Sequence, residues 1–320
     1  MSSTTSGLHH VTAIAGDPER NAKFYVDTLG LRFVKRTVNH DDNKTYHFYF
    51  GDQEGTPGTN ITFFPWTDHG RQGEFGAGQT QDTAYLIHPQ SVEYWVDRLE
   101  SKGVDVDRSE RFGETVLQFD DPDGIGLELV ASDSAATADA KPWEESPVPK
   151  DHQLRGFHSV TLAVAEYGPT ESILTEVLGF ELEAEADGRR RYVVGSGPAS
   201  TVDLVQIDAG RGQMGVGTVH HVAFEATDVE EQEHWRDALS SHGQNVTEVI
   251  DRKYFHSIYS REPGGVLFEI ATTDPGFTAD EEVDELGSRL TLPEWLEDER
   301  TQIEAQLPEF DPTTVGAGEN

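Results

Sequence analysis

Short β-branched and aromatic runs recur along this chain, and the clearest of them are each followed by a stretch of helical period. GLHHVTAIA from Gly7, GFHSVTLAV from Gly156 and TVHHVAFEA from Thr218 read as strands. Behind them, PERNAKFYVDTLGL, GPTESILTEVLGF and VEEQEHWRDALSSHG carry the apolar spacing of amphipathic helices. A further copy starts at DTAYLIHP, runs through the helix SVEYWVDRLESKG and ends in DPDGIGLELVA. That ending matches EPGGVLFEIAT: in both, a Pro/Gly turn precedes an alternating strand with a glutamate inside it. TYHFYFGD with TNITFFPW, and RYVVGSG with TVDLVQI, supply the remaining strands of two copies. The unit is β-α-β-β-β, repeated four times at a spacing of roughly 50 to 70 residues, so the fold class is α+β. TLGL and VLGF place Gly30 and Gly179 at helix C-termini, where a left-handed residue is wanted.

At 320 residues the chain exceeds a single domain of roughly 100–150 residues and suits a doubled architecture. The expected divisions are a first pair of copies over 1–140, a Pro- and charge-rich linker over 141–155, and a second pair over 156–277. An acidic tail over 278–320 follows. In it, LPEWLEDERTQIEAQLP predicts a helix with Pro293 in its first turn and an apolar stripe of Leu292, Leu296, Ile303 and Leu307. That helix reads as packing, not chemistry.

Composition then removes whole classes of chemistry. The chain has no cysteine, which excludes disulfides, zinc-thiolate sites, iron–sulfur clusters and thiol nucleophiles. Any metal must be held by His, carboxylate or water. The formal charge is −35, from 59 acidic against 24 basic residues, and arginine outnumbers lysine. Such self-repulsion destabilises a compact state unless salt screens it, and in molar salt the Debye length falls to about 3 Å. A halophilic source is therefore expected, with a merely acidic protein as the plainer alternative. No basic face offers itself to nucleic acid. No apolar run is long enough to span a membrane and MSSTTSGLHH lacks the marks of a signal peptide, so a cytoplasmic location is expected. A homo-oligomer is compatible with the sequence.

The least ordinary feature is a repeated doublet, His9-His10 and His220-His221. Successive strand residues point to opposite faces, so one member of each pair is expected to reach a shared cavity directly. Aligning Thr12 with Thr161 sets His158 against His9 and Ser159 against His10, which makes His10 and His221 the distinctive pair. Glu269, mid-strand between Phe268 and Ile270, is the best carboxylate to complete a set, since a buried charge without a partner is costly. Two imidazoles and one carboxylate form the facial triad of non-haem Fe(II) oxygenases, whose open positions admit substrate and O2 side by side. Taken singly, each of these residues is more ordinary: a strand histidine is usually just hydrogen-bonded and a glutamate usually solvated.

The segments LHHVT, LRFVKRTVN, YHFYFGDQEGTPGTNITFFPW, RGFHSVT, VHHVAF and YFHSIYSREPGGVLFEI resemble the vicinal oxygen chelate superfamily, in particular its hydroquinone ring-cleaving dioxygenases. The resemblance runs from Leu8 to about Phe277. It implies paired βαβββ modules forming two half-barrel domains, with copies one and four enclosing a metal and copies two and three forming a similar half without one. It assigns the ligands to His10, His221 and Glu269, the metal to Fe(II) with Mn(II) as the alternative, and the substrates to a small aromatic diol and O2. It also implies supporting roles for His9, Thr12, His220, Arg252 and Tyr259. Arg252 is equally compatible with a surface ion pair, and Tyr259 with a core aromatic. The other half offers Glu128, His158 and Asp203, but Ser159 stands at a ligand position and Tyr85-Leu86 are expected at the doublet of copy two, so that half reads as structural.

Two competing functions stay open. A glyoxalase-type isomerase usually wants a second carboxylate, where Phe63 or Phe64 is expected here. A binder of an aromatic compound or antibiotic would not need a full triad.

Overall fold

A computed structural model describes residues 4–67 and 70–316. The first module is β1 (Leu8–Ala15), α1 (Pro18–Lys23), β2 (Arg32–Asn39), β3 (Asp42–Gly51) and β4 (Asn60–Pro65). The second is β5 (Gln79–Ile87), α2 (Val92–Ser101), β6 (Asp107–Arg111), β7 (Glu114–Asp120) and β8 (Gly126–Ala131). The third is β9 (Phe157–Val164), α3 (Tyr167–Ser172), β10 (Glu181–Ala186), β11 (Arg189–Val193) and β12 (Thr201–Gln206). The fourth is β13 (Thr218–Ala226), α4 (Val229–Ser241), β14 (Ile250–Asp251), β15 (His256–Arg261) and β16 (Leu267–Thr272).

The helices form where the sequence marks them. Asp17 caps α1 by accepting from the Arg20 amide (2.7 Å), and Pro18 takes the first helical position. α1 and α3 both run on into a wider π turn, over Phe24–Thr28 and Ile173–Val177, before Gly30 (φ +73°) and Gly179 (φ +78°) release the chain. α2 buries Val92, Trp95 and Leu99, and α4 buries Gln232, Trp235 and Leu239, the stripes their spacing predicts.

Sheet order pairs the modules as the resemblance implies. One sheet runs β14-β15-β16-β13-β1-β4-β3-β2 and joins modules four and one. The other runs β10-β11-β12-β9-β5-β8-β7-β6 and joins modules three and two. Each is two four-stranded units meeting along an antiparallel central pair, β1 with β13 and β5 with β9. The central strands β1 and β9 are buried along their whole length, which is why apolar residues fall on both of their faces.

The segment 141–155 is packed against the modules. Val148 and Leu154 are buried, and the Gln153 side chain bonds the backbone N–H and carbonyl of Trp143. In the tail, Leu292 and Ile303 bury against Val38 of β2, with Leu290, Leu296 and Leu307 around them, so the predicted stripe forms. Its helix departs from the sequence reading. A 3-10 turn over Glu294–Glu299 precedes α5 (Arg300–Glu304), and Pro293 stands just before the turn with extended backbone. No helix among the described residues is long and apolar enough to cross a membrane.

Candidate metal centre

The doublets meet where β1 and β13 run side by side. The ladder pairs Leu8 with Phe224 and His10 with Ala223, skipping His9; it pairs Thr12 with His221 and Ala13 with Val219, skipping His220. His9 and His220 are thus each the extra residue of a β-bulge. This corrects strict alternation: the bulge lets both rings of a doublet lie together, with Nδ1 of His9 2.8 Å from Nδ1 of His10 and Nδ1 of His220 2.7 Å from Nδ1 of His221.

Proton positions follow from the partners. His9 Nε2 is 3.2 Å from the Thr272 carbonyl, which can only accept, so that nitrogen carries the proton. Burial and the adjacent His10 push the His9 pKa down to about 3, so the ring is neutral and its Nδ1 accepts from His10 Nδ1–H. His10 Nε2 is left with a bare lone pair. His220, pushed down to about 3 by burial and by His221, pairs Nδ1 to Nδ1 with His221 in the same way and lines the cavity.

Three ligand atoms then converge. His10 Nε2 and His221 Nε2 are 3.3 Å apart, and Glu269 Oε2 lies 3.4 Å from the first and 2.8 Å from the second. All three residues are buried. Ser257 donates to Glu269 Oε1 (2.5 Å), whereas Oε2 is buried without a hydrogen-bond partner. A carboxylate oxygen and two unprotonated nitrogens repel one another unless a cation stands between them. The donor set therefore fits a divalent ion.

These atoms form the floor of a cavity of about 360 Å³, near the lower end of the ~300–1,000 Å³ of small-molecule pockets. Phe64, Phe255 and Leu267 give it apolar walls. Tyr259 sits across the strand pair from Glu269 with its ring edge-on to His221. Arg252 Nε donates to the Tyr259 hydroxyl (3.2 Å), while its Nη2 donates to Asp41 (2.9 Å). Burial opposes the Arg252 charge, yet Tyr259 and Asp41 hold its pKa above the ordinary value. Thr12 does not line the cavity. Its hydroxyl bonds Thr62 (2.7 Å), Thr62 bonds His47 Nε2 (2.9 Å), and the Tyr49 hydroxyl donates to His47 Nδ1 (2.9 Å). His47, Tyr49 and Ser257 escaped the sequence reading. The alternation in TYHFYFG was the signal for the first two, since it turns Tyr46, Phe48 and Phe50 to one face and His47 and Tyr49 to the other.

Register also corrects two positions. Ala223 pairs with Glu269 as Thr12 pairs with Thr62, so the place of a second carboxylate is held by Thr62 and not by Phe63 or Phe64. In the other half, Ala84 pairs with Glu128 and Asp82 with Thr161, so the doublet of copy two is Gln81-Asp82, not Tyr85-Leu86. Tyr85 lies in the core against Phe157. The same bulges occur there: Gln81 donates to Asp82 (2.9 Å), and His158 Nδ1 lies 2.9 Å from Ser159 Oγ. Ser159, Asp82 and Glu128 thus occupy the places of His10, His221 and Glu269, but guanidinium groups fill the space. Arg111 holds both Glu128 oxygens (2.8 and 2.9 Å), and Arg189 and Arg191 hold Asp203. With Glu128 and Asp203 already paired, and Ser159 and Asp82 in the places of imidazoles, the second half reads as structural.

Residues 7–129 and 156–270 match the Glyoxalase/Bleomycin resistance protein/Dioxygenase superfamily, and the chain belongs to it. Within that family it is similar to MhqO of Bacillus subtilis, named a candidate ring-cleaving dioxygenase, at 44% identity over 97% of this chain and 98% of the relative. It is 36% identical to the chlorohydroquinone/hydroquinone 1,2-dioxygenase of Sphingobium indicum, over 93% of this chain and 94% of that one. The crystal structure of a candidate dioxygenase from Bacillus subtilis superimposes with a TM-score of 0.92 at 44% identity, covering 96% of this chain and 98% of the other. Glyoxalase I from Zea mays shares the fold, with a TM-score of 0.59 at 16% identity over 83% of this chain and 92% of its own.

Proposed function

We propose that this protein is a metal-dependent ring-cleaving dioxygenase that opens a hydroquinone-type ring, with an extradiol-type reaction at Fe(II) held by His10, His221 and Glu269. Ring-cleaving dioxygenase is the class its full-length relatives are named for. The observation that carries the reading is the buried, unpartnered Glu269 Oε2 facing two imidazole lone pairs on the floor of an apolar cavity. When bound, the ion supplies Lewis acidity toward the phenol and open positions that bring the ring and O2 together.

The chain's own residues do the rest. His220 lines the cavity with its Nδ1 engaged by His221, which leaves Nε2 to exchange a proton with a substrate hydroxyl. Tyr259 accepts from Arg252, so its own O–H is free to donate to a substrate oxygen, and its pKa, raised by burial and by Glu269, keeps that proton in place. His9 fixes the His10 tautomer through Thr272, and Thr12 anchors Thr62 and thereby His47 in the cavity wall. Phe64, Phe255 and Leu267 exclude water from the ring.

The isomerase reading is disfavoured by Thr62, a neutral hydroxyl bonded to Thr12 and His47 where a second carboxylate would stand. The test is O2 uptake by anaerobically Fe(II)-loaded protein in molar salt, on addition of hydroquinone, methylhydroquinone or catechol, with methylglyoxal plus thiol as the contrast. O2 consumption with a ring-opened chromophore is expected, and Glu269→Ala should lose both metal and activity. Silence toward every phenol with one ion bound per chain would overturn the proposal.

A further inference from the structure

A second cavity, of about 230 Å³, shares His220, His221 and Leu267 with the metal cavity. Its other walls are the start of β5 at Gln79 and Thr80, the loop before β13 at Arg211, and the β15–β16 turn from Arg261 to Gly265. Two guanidinium groups meet at Gly265. Arg261 Nη1 donates to the Gly265 carbonyl (2.7 Å), and Arg211 Nη2 lies 3.0 Å from where a Cβ on Gly265 would stand.

Neither arginine has a carboxylate at ion-pair distance among the described residues, and Arg211 makes no side-chain hydrogen bond among them. In a chain of 59 acidic and 24 basic residues this pairing of unopposed cations needs a reason. The neighbouring acid Glu262 offsets only part of this, since burial and Arg211 still leave the Arg261 pKa below its ordinary value. Glu262 is buried and committed to the Thr170 hydroxyl (2.9 Å) and to the amides of Gly264 (2.7 Å) and Val266 (2.8 Å). Burial and the Arg211 charge both work against the Arg261 charge, so an anion at this point would relieve the pair.

We infer that Arg211 and Arg261 form a carboxylate-binding site behind the metal centre that receives the ring-opened acid. The identity of the ligand rests on the ring-cleavage reading above. A hydroquinone is neutral, whereas adding both atoms of O2 across one ring C–C bond turns one carbon into a carboxyl group and its neighbour into an aldehyde. The charge is therefore born in a mostly apolar cavity, and the forked guanidinium geometry that matches a carboxylate waits on the far face of His220 and His221.

The test is calorimetric titration of cis,cis-muconate, a six-carbon dicarboxylate, into metal-free and Mn(II)-loaded protein in buffered salt. It compares wild type with Arg211→Gln, Arg261→Gln and the double variant. Both arginines are exposed, so the variants should keep the wild-type circular dichroism spectrum. Muconate is expected to bind both forms, about tenfold more weakly for each arginine removed. Binding that ignores both substitutions, or that requires the metal, would overturn the inference. Because binding is read without turnover, the two readings separate. Arginine-dependent binding by a protein that consumes no O2 with any phenol would end the ring-cleavage reading and the ligand's identity while leaving the carboxylate site, and O2 consumption with arginine-independent binding would end the site alone.

Discussion

Replacing Lys35 by methionine tests whether the acidic tail holds the cavity in shape. Lys35 lies within β2 with no exposed surface, and its Nζ reaches the Phe277 carbonyl (3.0 Å), Asp280 (2.8 Å) and Glu281. It also stands 4.7 Å above the Tyr254 ring. Asp280 keeps Lys253 and Tyr254 as partners without it, but Glu281, equally unexposed, would keep only the mostly exposed Arg289 at 3.4 Å. Removing one member of a buried pair costs about 3–5 kcal/mol, mainly through the charge left behind, and Arg289 offsets a little of that. A loss of about 3 kcal/mol is expected for Lys35→Met, read by urea unfolding in molar salt. The double variant Lys35→Met/Glu281→Leu should recover most of it, since no charge is then stranded. Tyr254 stands between Arg252 and Phe255, which both line the cavity, so the single variant should also raise KM before it lowers kcat. A loss below about 1 kcal/mol, or a double variant as weak as the single, would refute the argument that a stranded carboxylate sets the cost.

Ser257→Ala removes the hydrogen bond that orients Glu269 and should weaken metal binding about 10–100-fold, measured by competition with a chromophoric chelator. His40 lines the cavity with its pKa pushed down to about 4 by burial and by Arg252. Its folded value lies below its unfolded value of about 6.5, so its contribution to stability is full above 6.5 and disappears as pH falls toward 4. His40→Gln should flatten the stability profile in that window by up to about 1.4 kcal/mol per pH unit, and parallel profiles by urea unfolding would remove His40 as the cause. With a formal charge of −35, dilution from molar salt to low-salt buffer should abolish the folded circular dichroism signal, and an unchanged signal would remove the halophilic reading.

Repeats made much of this architecture legible. GLHHVTAIA, GFHSVTLAV and TVHHVAFEA keep their strand pattern because each lies at the buried centre of a sheet, where both faces select for apolar residues. The candidate ligands His10, His221 and Glu269 stood out because two doublets and a mid-strand glutamate repeat at equivalent places. Register was less legible. A bulge adds a residue without changing composition, so nothing in LHHVT says that His9 is skipped in the ladder, and alternation turned its ring to the wrong face. A short run such as DTAYLIHP fits more than one alignment, and only the pairing of Ala84 with Glu128 fixes Gln81-Asp82 as its doublet.

The two halves also show why a buried carboxylate in a repeat cannot by itself be read as a ligand. Both bury a glutamate at the same point of the ladder, Glu128 and Glu269, and both must neutralise it. In one half the counter-charge is carried by the chain, since Arg111 occupies both oxygens of Glu128. In the other, the facing residues are imidazoles whose protons are directed away through His9 and His220, and Glu269 Oε2 stays without a donor. Replacing Arg111 would strand Glu128 at a cost in stability but would supply no imidazole, because Ser159 and Asp82 stand in those places. The half that carries the candidate metal centre is therefore distinguished less by its glutamate than by the two bulged histidines beside the candidate ligand nitrogens.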